Sequence, residues 1–139
     1  MQPHVYRASR FLEAEFGHAD VTDELAAWVD NSGIKTGVLT VQLVGSTGGV
    51  TTIEYESGAL ADLQRAFNTL APANEDYQHN ERWHDGNGFS HLRSALLKTG
   101  IALPIIDGRL QLGTWQQVVA INFDNHARDR ELVGVIIGD

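Results

Sequence analysis

The carboxyl-terminal part of the chain, from residue 101 onward, carries only β-strand patterns, and this constrains the fold more than any other feature. Asp107-Gly108 is a dipeptide typical of a two-residue hairpin turn, and it separates the apolar run 101–106 from the run 109–112. A further strand pair is predicted around a polar turn at residues 124–128, with its strands at residues 114–123 and 131–137. This part of the chain therefore predicts antiparallel hairpins.

Three helices are predicted earlier in the chain. Apolar residues recur at helical spacing over residues 21–29 and again over residues 60–70, where Pro72 ends the second helix. Ser90 is a suitable cap for a third helix, which ends near Gly100. All three helices are short and amphipathic.

A third strand pair lies between the first two helices. Residues 37–44 and 50–55 are rich in β-branched and aliphatic side chains, and the glycine-rich loop 45–49 between them indicates a hairpin. Helices interspersed among hairpins, rather than alternating strictly with single strands, are typical of the α+β class. We therefore expect one compact domain over residues 1–139, with a mainly antiparallel β-sheet and two or three short helices.

Composition excludes several classes of function. The net charge of −8, from 18 acidic and 10 basic residues, opposes binding to nucleic acid. No apolar run approaches the roughly 20 residues of a membrane helix, and the first residues lack a secretory signal, so a cytoplasmic location without membrane binding is expected. Because the chain has no cysteine, a metal would need His, Asp, Glu or Asn ligands.

Chemistry-bearing side chains concentrate in the turn-rich segment 77–92, which holds three of the six histidines together with carboxylates and amides. His91 falls in the first turn of the third helix, where the helix dipole favours the neutral imidazole that metals bind, and His79 could join it. Their spacing is unlike the tight spacing of a zinc motif. The alternative is that His91 packs and His79 bonds to the loop backbone. Asp85 and Asn87 are interpreted first as turn formers.

Other polar groups are candidates for ligand binding. Glu54 could serve as a ligand or general base, although an isolated glutamate on a strand more often faces solvent. Thr114 and Gln116 would face away from Trp115, which is expected in the core or a subunit interface. Phosphate-binding candidates are the glycine-rich loop with Ser46 and Thr47, and Arg93 one turn inside the third helix. The alternative for the glycine-rich loop is that its glycines only permit a tight turn.

Three pieces of the sequence together resemble the YjbQ family, also called the secondary thiamine-phosphate synthase enzyme family. In order along residues 37–138 they are Thr51-Thr52-Ile53-Glu54-Tyr55-Glu56, then Tyr77-Gln78-His79-Asn80 with Ser90-His91-Leu92-Arg93, then Asp107-Gly108-Arg109-Leu110 with Leu112-Gly113-Thr114-Trp115-Gln116. The resemblance implies an α+β subunit that forms a homotrimer and binds a small phosphorylated ligand. It also implies a secondary ability to join a pyrimidine methyl diphosphate to a thiazole phosphate, releasing pyrophosphate.

The resemblance also suggests how the candidate residues act together. His79 and His91 would hold a divalent metal, zinc or magnesium, with Glu54 as a ligand or base and Arg93 neutralising the leaving group. The expected pocket lies near a subunit boundary and is formed by Glu54, His79, Asn80, His91, Ser46, Thr47, Thr114 and Gln116.

Two departures from the family pattern keep other functions open. Many members are similar but carry His-Thr-Thr where this chain has Gly45-Ser46-Thr47, and others have histidine where Phe89 stands. A metal site built from three such histidines would lack one ligand here. The alternatives are a metal-assisted hydrolase of a small phosphate or ester and a non-catalytic trimeric protein that binds a small ligand.

Overall fold

The computed structural model describes residues 2–139, which form eight strands and four helices. In chain order they are β1 (His4–Leu12), β2 (Gly17–Asp20), α1 (Thr22–Ser32), β3 (Thr36–Val44), β4 (Gly48–Ile53), α2 (Ser57–Leu70), α3 (Gln78–Trp83), α4 (Gly88–Leu97), β5 (Gly100–Ile106), β6 (Arg109–Leu110), β7 (Gln117–Asn122) and β8 (Arg128–Gly138). None of these helices combines the length and hydrophobicity needed to cross a membrane.

The strands form two antiparallel sheets, which confirms the predicted α+β class. The five-stranded sheet has the order β1-β8-β3-β5-β6 and the three-stranded sheet the order β2-β7-β4. The Asp-Gly hairpin forms as predicted, with Ile106 paired to Arg109 and Ile105 to Leu110. Local turn chemistry was therefore sufficient to define this pair of strands.

The other two predicted hairpins are wrong. β3 pairs with β5 and β8, whereas β4 pairs with β7, so the loop between β3 and β4 carries the chain from one sheet to the other. Gly45 begins that crossing at a φ of +139°, which a side chain rarely permits. β7 and β8 are likewise in different sheets. A strand-turn-strand pattern is the same for a hairpin and for a crossing between packed sheets.

The packing of the core explains why the strands are divided between two sheets. Side chains of β3, among them Leu39 and Val41, pack with Val118 of β7 and with Leu25 of α1 between the two sheets. On its other face, the three-stranded sheet packs on α2 through a second apolar cluster that includes Phe67. The three-stranded sheet is thus covered on both faces, and its central strand β7 is almost fully buried.

Trp115 does not lie in the core, which is one of its two predicted positions; the other, a subunit interface, stays a prediction. The strand expected over residues 114–123 begins only at Gln117, and the preceding residues form a turn. Trp115 is 73% exposed, so it does not belong to the core of the protomer. Strands β1 and β2 and helix α3 were not predicted, because their sequences lack the long apolar periodicity that marks the other elements.

Candidate functional site

The structure brings His79 and His91 together. His79 lies on α3 and His91 on α4, and the centroids of their imidazole rings are 4.5 Å apart. Asn80 joins the two helices, because its Oδ1 accepts a hydrogen bond of 2.8 Å from the backbone N–H of Gly88, the first residue of α4. Gly88 is needed at this junction, because an added Cβ would lie 2.6 Å from Cβ of Tyr77.

Asp85, in the loop between the two helices, lies beside His79. His79 Nδ1 is buried, lies 3.4 Å from Oδ1 of Asp85 and makes no hydrogen bond among the described residues. The side-chain amide of Asn87, with its nitrogen turned to the carboxylate, donates to both oxygens of Asp85 at 2.9 and 3.2 Å. Asn125 donates to the backbone carbonyl of Asp85 at 2.9 Å. Asn87 and Asn125 therefore fix Asp85, which gives this loop a role beyond its predicted turn: it places a carboxylate beside His79.

His91 borders a polar cavity of about 270 Å³. Ser46 and Thr47, both predicted as ligand-binding residues, lie in its wall, whereas His79 does not. A second, more open hollow of about 370 Å³ adjoins it and shares Gly45, Ser46 and His91. The full lining of the polar cavity is Gly45, Ser46, Thr47, Asn87, His91, Asp124, Arg128 and Arg130.

A buried hydrogen-bond network forms the floor of this cavity. Arg130 is 6% exposed, and its Nη2 donates to Thr47 Oγ1 at 2.5 Å and to Asn122 Oδ1 at 2.6 Å. The hydroxyl of Thr47 donates to Asp124 Oδ2 at 3.0 Å, and Arg128 Nε donates to the same oxygen at 2.6 Å. Thr47 is thus fixed between two charged groups, which gives it a structural role at the cavity.

Electrostatics keep this network charged. Burial by itself raises the pKa of Asp124. The hydrogen bonds from Arg128 and Thr47, with the positive charge of Arg128, together outweigh burial, so the pKa of Asp124 lies below its ordinary value. Burial lowers the pKa of Arg130, while the charge of Asp124 raises it. An arginine remains protonated despite such a shift. The cavity therefore holds one carboxylate and two guanidinium groups at neutral pH.

The sequence prediction missed these residues. The sequence predicts only a strand end at Asn122 and a polar turn that contains Asp124 and Arg128. One signal for this site is present in the sequence. Arg130 lies two residues before the apolar Leu132 on β8, so it shares the inward face of the strand although it is charged. A charged residue that points inward from a strand needs partners in the fold, and this marks it as a candidate.

Glu54, Thr114 and Gln116 do not join the histidines within one protomer. Strand β4 separates Thr47 from Glu54, and its six residues span about 17 Å. Glu54 is exposed and lines a different hollow with Asp20 and Trp115. Gln116 donates to Thr52 Oγ1 at 3.1 Å and accepts from the N–H of Gly113 at 3.0 Å. The single pocket predicted from the sequence is therefore divided between the two ends of the three-stranded sheet.

Arg93 does not reach the cavity either. It is 2% exposed, and its Nε donates to the carbonyl of Ala71 at 2.9 Å while its Nη2 donates to Asn68 Oδ1 at 3.1 Å. Residues two apart on a helix face different sides, so Arg93 points away from the side that carries His91. Its predicted role at a phosphate is corrected to a role in attaching α4 to the end of α2.

The described residues form no group of three or more His, Asp or Glu side chains placed to hold a metal ion. His79 and His91 supply two imidazoles, one fewer than the three protein ligands that catalytic zinc sites use. The residues present therefore do not complete a metal site, and the predicted divalent ion remains a prediction.

Comparisons with known proteins identify relatives across almost the whole chain. Residues 10–139 match the family described as "UPF0047 protein YjbQ-like". A UPF0047 protein of Methanothermobacter thermautotrophicus is 34% identical over 129 residues, which are 93% of this chain and 86% of that protein. The UPF0047 protein YjbQ of Salmonella typhimurium is 30% identical over 121 residues, covering 86% and 85% of the two chains.

Solved structures agree with this assignment. A YbjQ-like protein of unknown function from Sulfolobus solfataricus superposes with a TM-score of 0.88 at 26% identity, covering 99% of this chain and 100% of that one. A hypothetical protein from Aeropyrum pernix gives a TM-score of 0.90 at 25% identity, covering 98% and 99%. On the matched sequence and the shared fold, the chain belongs to the YjbQ-like UPF0047 family.

Proposed function

We propose that the cavity beside His91 binds a small phosphorylated ligand and supports a secondary thiamine-phosphate synthase activity. In this reaction a pyrimidine methyl diphosphate joins a thiazole phosphate and pyrophosphate leaves. The observation that carries the proposal is the paired imidazoles, 4.5 Å apart, beside a cavity that is also lined by two guanidinium groups. Both substrates are phosphorylated, and negative charge develops on the departing pyrophosphate.

The residues have different roles in this proposal. His91 lines the cavity and contacts the ligand. His79 does not line the cavity; it packs against the imidazole of His91 and positions that ring. Ser46 offers a hydroxyl at the cavity wall, and Asn80 holds α3 against α4. No step uses a metal or Glu54, because the described residues do not complete a metal site and Glu54 lies at the far end of the sheet.

The direct test is to incubate the purified protein with both substrates and to measure thiamine phosphate by chromatography. We expect slow formation above the uncatalysed rate, together with rescued growth of cells that lack their own thiamine-phosphate synthase. Release of phosphate without thiamine phosphate would instead support the hydrolase alternative, and ligand binding without turnover would support the binding protein. Elemental analysis of the same preparation tests the predicted metal.

We also propose that the chain forms a homotrimer through the outer face of the five-stranded sheet. This face carries exposed apolar side chains, with Val5 58% exposed, Val38 36% and Ile137 43%, beside the ion pair of Arg7 and Glu131. Val38 lies directly opposite Ile137, which makes the apolar surface continuous across β3 and β8. Large exposed apolar surfaces of this kind mark protein-protein contacts. The cytoplasmic location remains a prediction.

Replacing Val38 and Ile137 together by lysine is expected to dissociate the trimer into monomers, because two ammonium groups on neighbouring strands cannot be desolvated at an apolar interface. Light scattering would report three chains per particle for the native protein and one for the variant. Leu70→Lys is the matched control, since Leu70 is apolar and 65% exposed but lies on α2. A native protein that is monomeric at all concentrations would contradict the proposal.

A further inference from the structure

The two arginines at the cavity leave part of each guanidinium group without a protein partner. Arg130 uses Nε and Nη2 to hold Asn122 and Thr47, and Nη1 has no hydrogen-bond acceptor among the described residues. Arg128 uses Nε to hold Asp124, and its two terminal nitrogens also lack an acceptor there. The bonded nitrogen atoms therefore fix both guanidinium groups in place. The remaining N–H groups are available as donors at the wall of one cavity.

Gly45 makes room for the free end of Arg130. A Cβ built on Gly45 would lie 2.7 Å from Arg130 Nη1, which is closer than real Cβ contacts. The φ of +139° at this residue also disfavours any side chain. The backbone conformation and the missing side chain thus both serve the approach of a buried guanidinium group to the cavity.

We propose that Arg130 Nη1, the terminal nitrogens of Arg128 and the hydroxyl of Ser46 form an oxyanion subsite for a phosphate or pyrophosphate group. Two guanidinium groups and one carboxylate leave a local charge of one positive unit, although the whole chain carries −8. A tetrahedral oxyanion has several acceptor oxygens, which match planar N–H donors fixed in advance. Arg130 is nearly fully buried, so its position is set before the ligand arrives.

The subsite rests on the proposed function in one respect: it assigns the leaving pyrophosphate to the wall formed by the loop between β3 and β4 and the start of β8. His91 borders the same cavity. The phosphate would thus lie between the imidazole and the arginines. This assignment replaces Arg93, whose guanidinium group is buried against α2.

Calorimetric titration with inorganic phosphate and with pyrophosphate tests the subsite without requiring turnover. We expect binding to the native protein and binding about tenfold weaker or more in Arg130→Lys, because the planar donor pair is lost. Arg128→Gln should show a similar loss; because it also removes the charged partner of the buried Asp124, circular dichroism is measured first to check that this variant folds. Gly45→Ala should also weaken binding by displacing Nη1.

Arg109→Gln is the matched control, because it makes the same charge change on the exposed β5–β6 hairpin. It should bind phosphate like the native protein. The subsite is overturned if the native protein binds neither anion, or if Arg128→Gln and Gly45→Ala bind both with native affinity. If binding depends on the arginines but thiamine phosphate never forms, the subsite stands and the proposed function fails. If thiamine phosphate forms with native kinetics in both arginine variants, the subsite alone fails.

Discussion

Replacing Arg93 by alanine is expected to lower the free energy of unfolding by about 3 kcal/mol, a roughly 100-fold change in the unfolding equilibrium. The change removes a buried side chain and leaves the carbonyl of Ala71 without its donor. It also removes the guanidinium group from the ring of Phe89, where the distance to the ring centroid is 5.0 Å. Urea denaturation followed by circular dichroism measures the effect.

Arg82 provides a matched control for this prediction. Its guanidinium group also lies over an aromatic ring, 5.3 Å from the centroid of Trp83, but Arg82 is exposed. Arg82→Ala should change stability by no more than about 0.5 kcal/mol, as is usual for exposed residues. Equal losses in the two variants would contradict a buried structural role for Arg93. A native-like stability of Arg93→Ala combined with weak phosphate binding would restore the role first expected from the sequence.

The sequence predicted those parts of the fold that depend on neighbouring residues. The strand expected over residues 37–44 is β3, and Asp107-Gly108 forms the predicted hairpin. The wrong hairpins both involve a choice between two sheets. That choice depends on which buried faces meet in the core, for example the faces of Val41 and Val118, which belong to one apolar cluster although they are distant in the chain. The apolar pattern of one strand does not identify the strand with which it pairs.

The same distinction applies to the candidate site. The predicted proximity of His79 and His91 is found in the structure, since α3 and α4 are close in the chain and Asn80 joins them directly. The alternation along β8 marks Arg130 as an inward-facing charge, but it does not identify the partner, because Thr47 is 83 residues away in the chain. The sequence predicts a turn glycine at position 45, and only the folded structure shows that Gly45 makes room for a guanidinium group.

Replacing His91 by alanine is expected to reduce kcat for thiamine phosphate formation by about 10²–10⁴-fold, the usual contribution of a general acid. In the proposed reaction the thiazole nitrogen forms the new C–N bond, the C–O bond to pyrophosphate breaks, and protonated His91 donates its proton to the departing pyrophosphate. The reason is its place at the cavity, which it borders together with Ser46. His79→Ala should cause a smaller loss, up to about 100-fold, because His79 acts by positioning His91. Steady-state kinetics with both substrates give kcat and KM for each variant.

His84→Asn is the control for these two variants, because His84 is exposed and its φ of +56° is one that asparagine tolerates. Its kinetics should match those of the native protein. The roles of the two histidines differ in a way that pH separates: a positioning residue changes kcat without removing the pH dependence, whereas loss of the proton-transferring group also removes that limb of the profile. If His91→Ala keeps native kcat and a native pH profile, the chemistry must lie elsewhere, and the hollow beside Glu54 and Trp115 becomes the site to examine next.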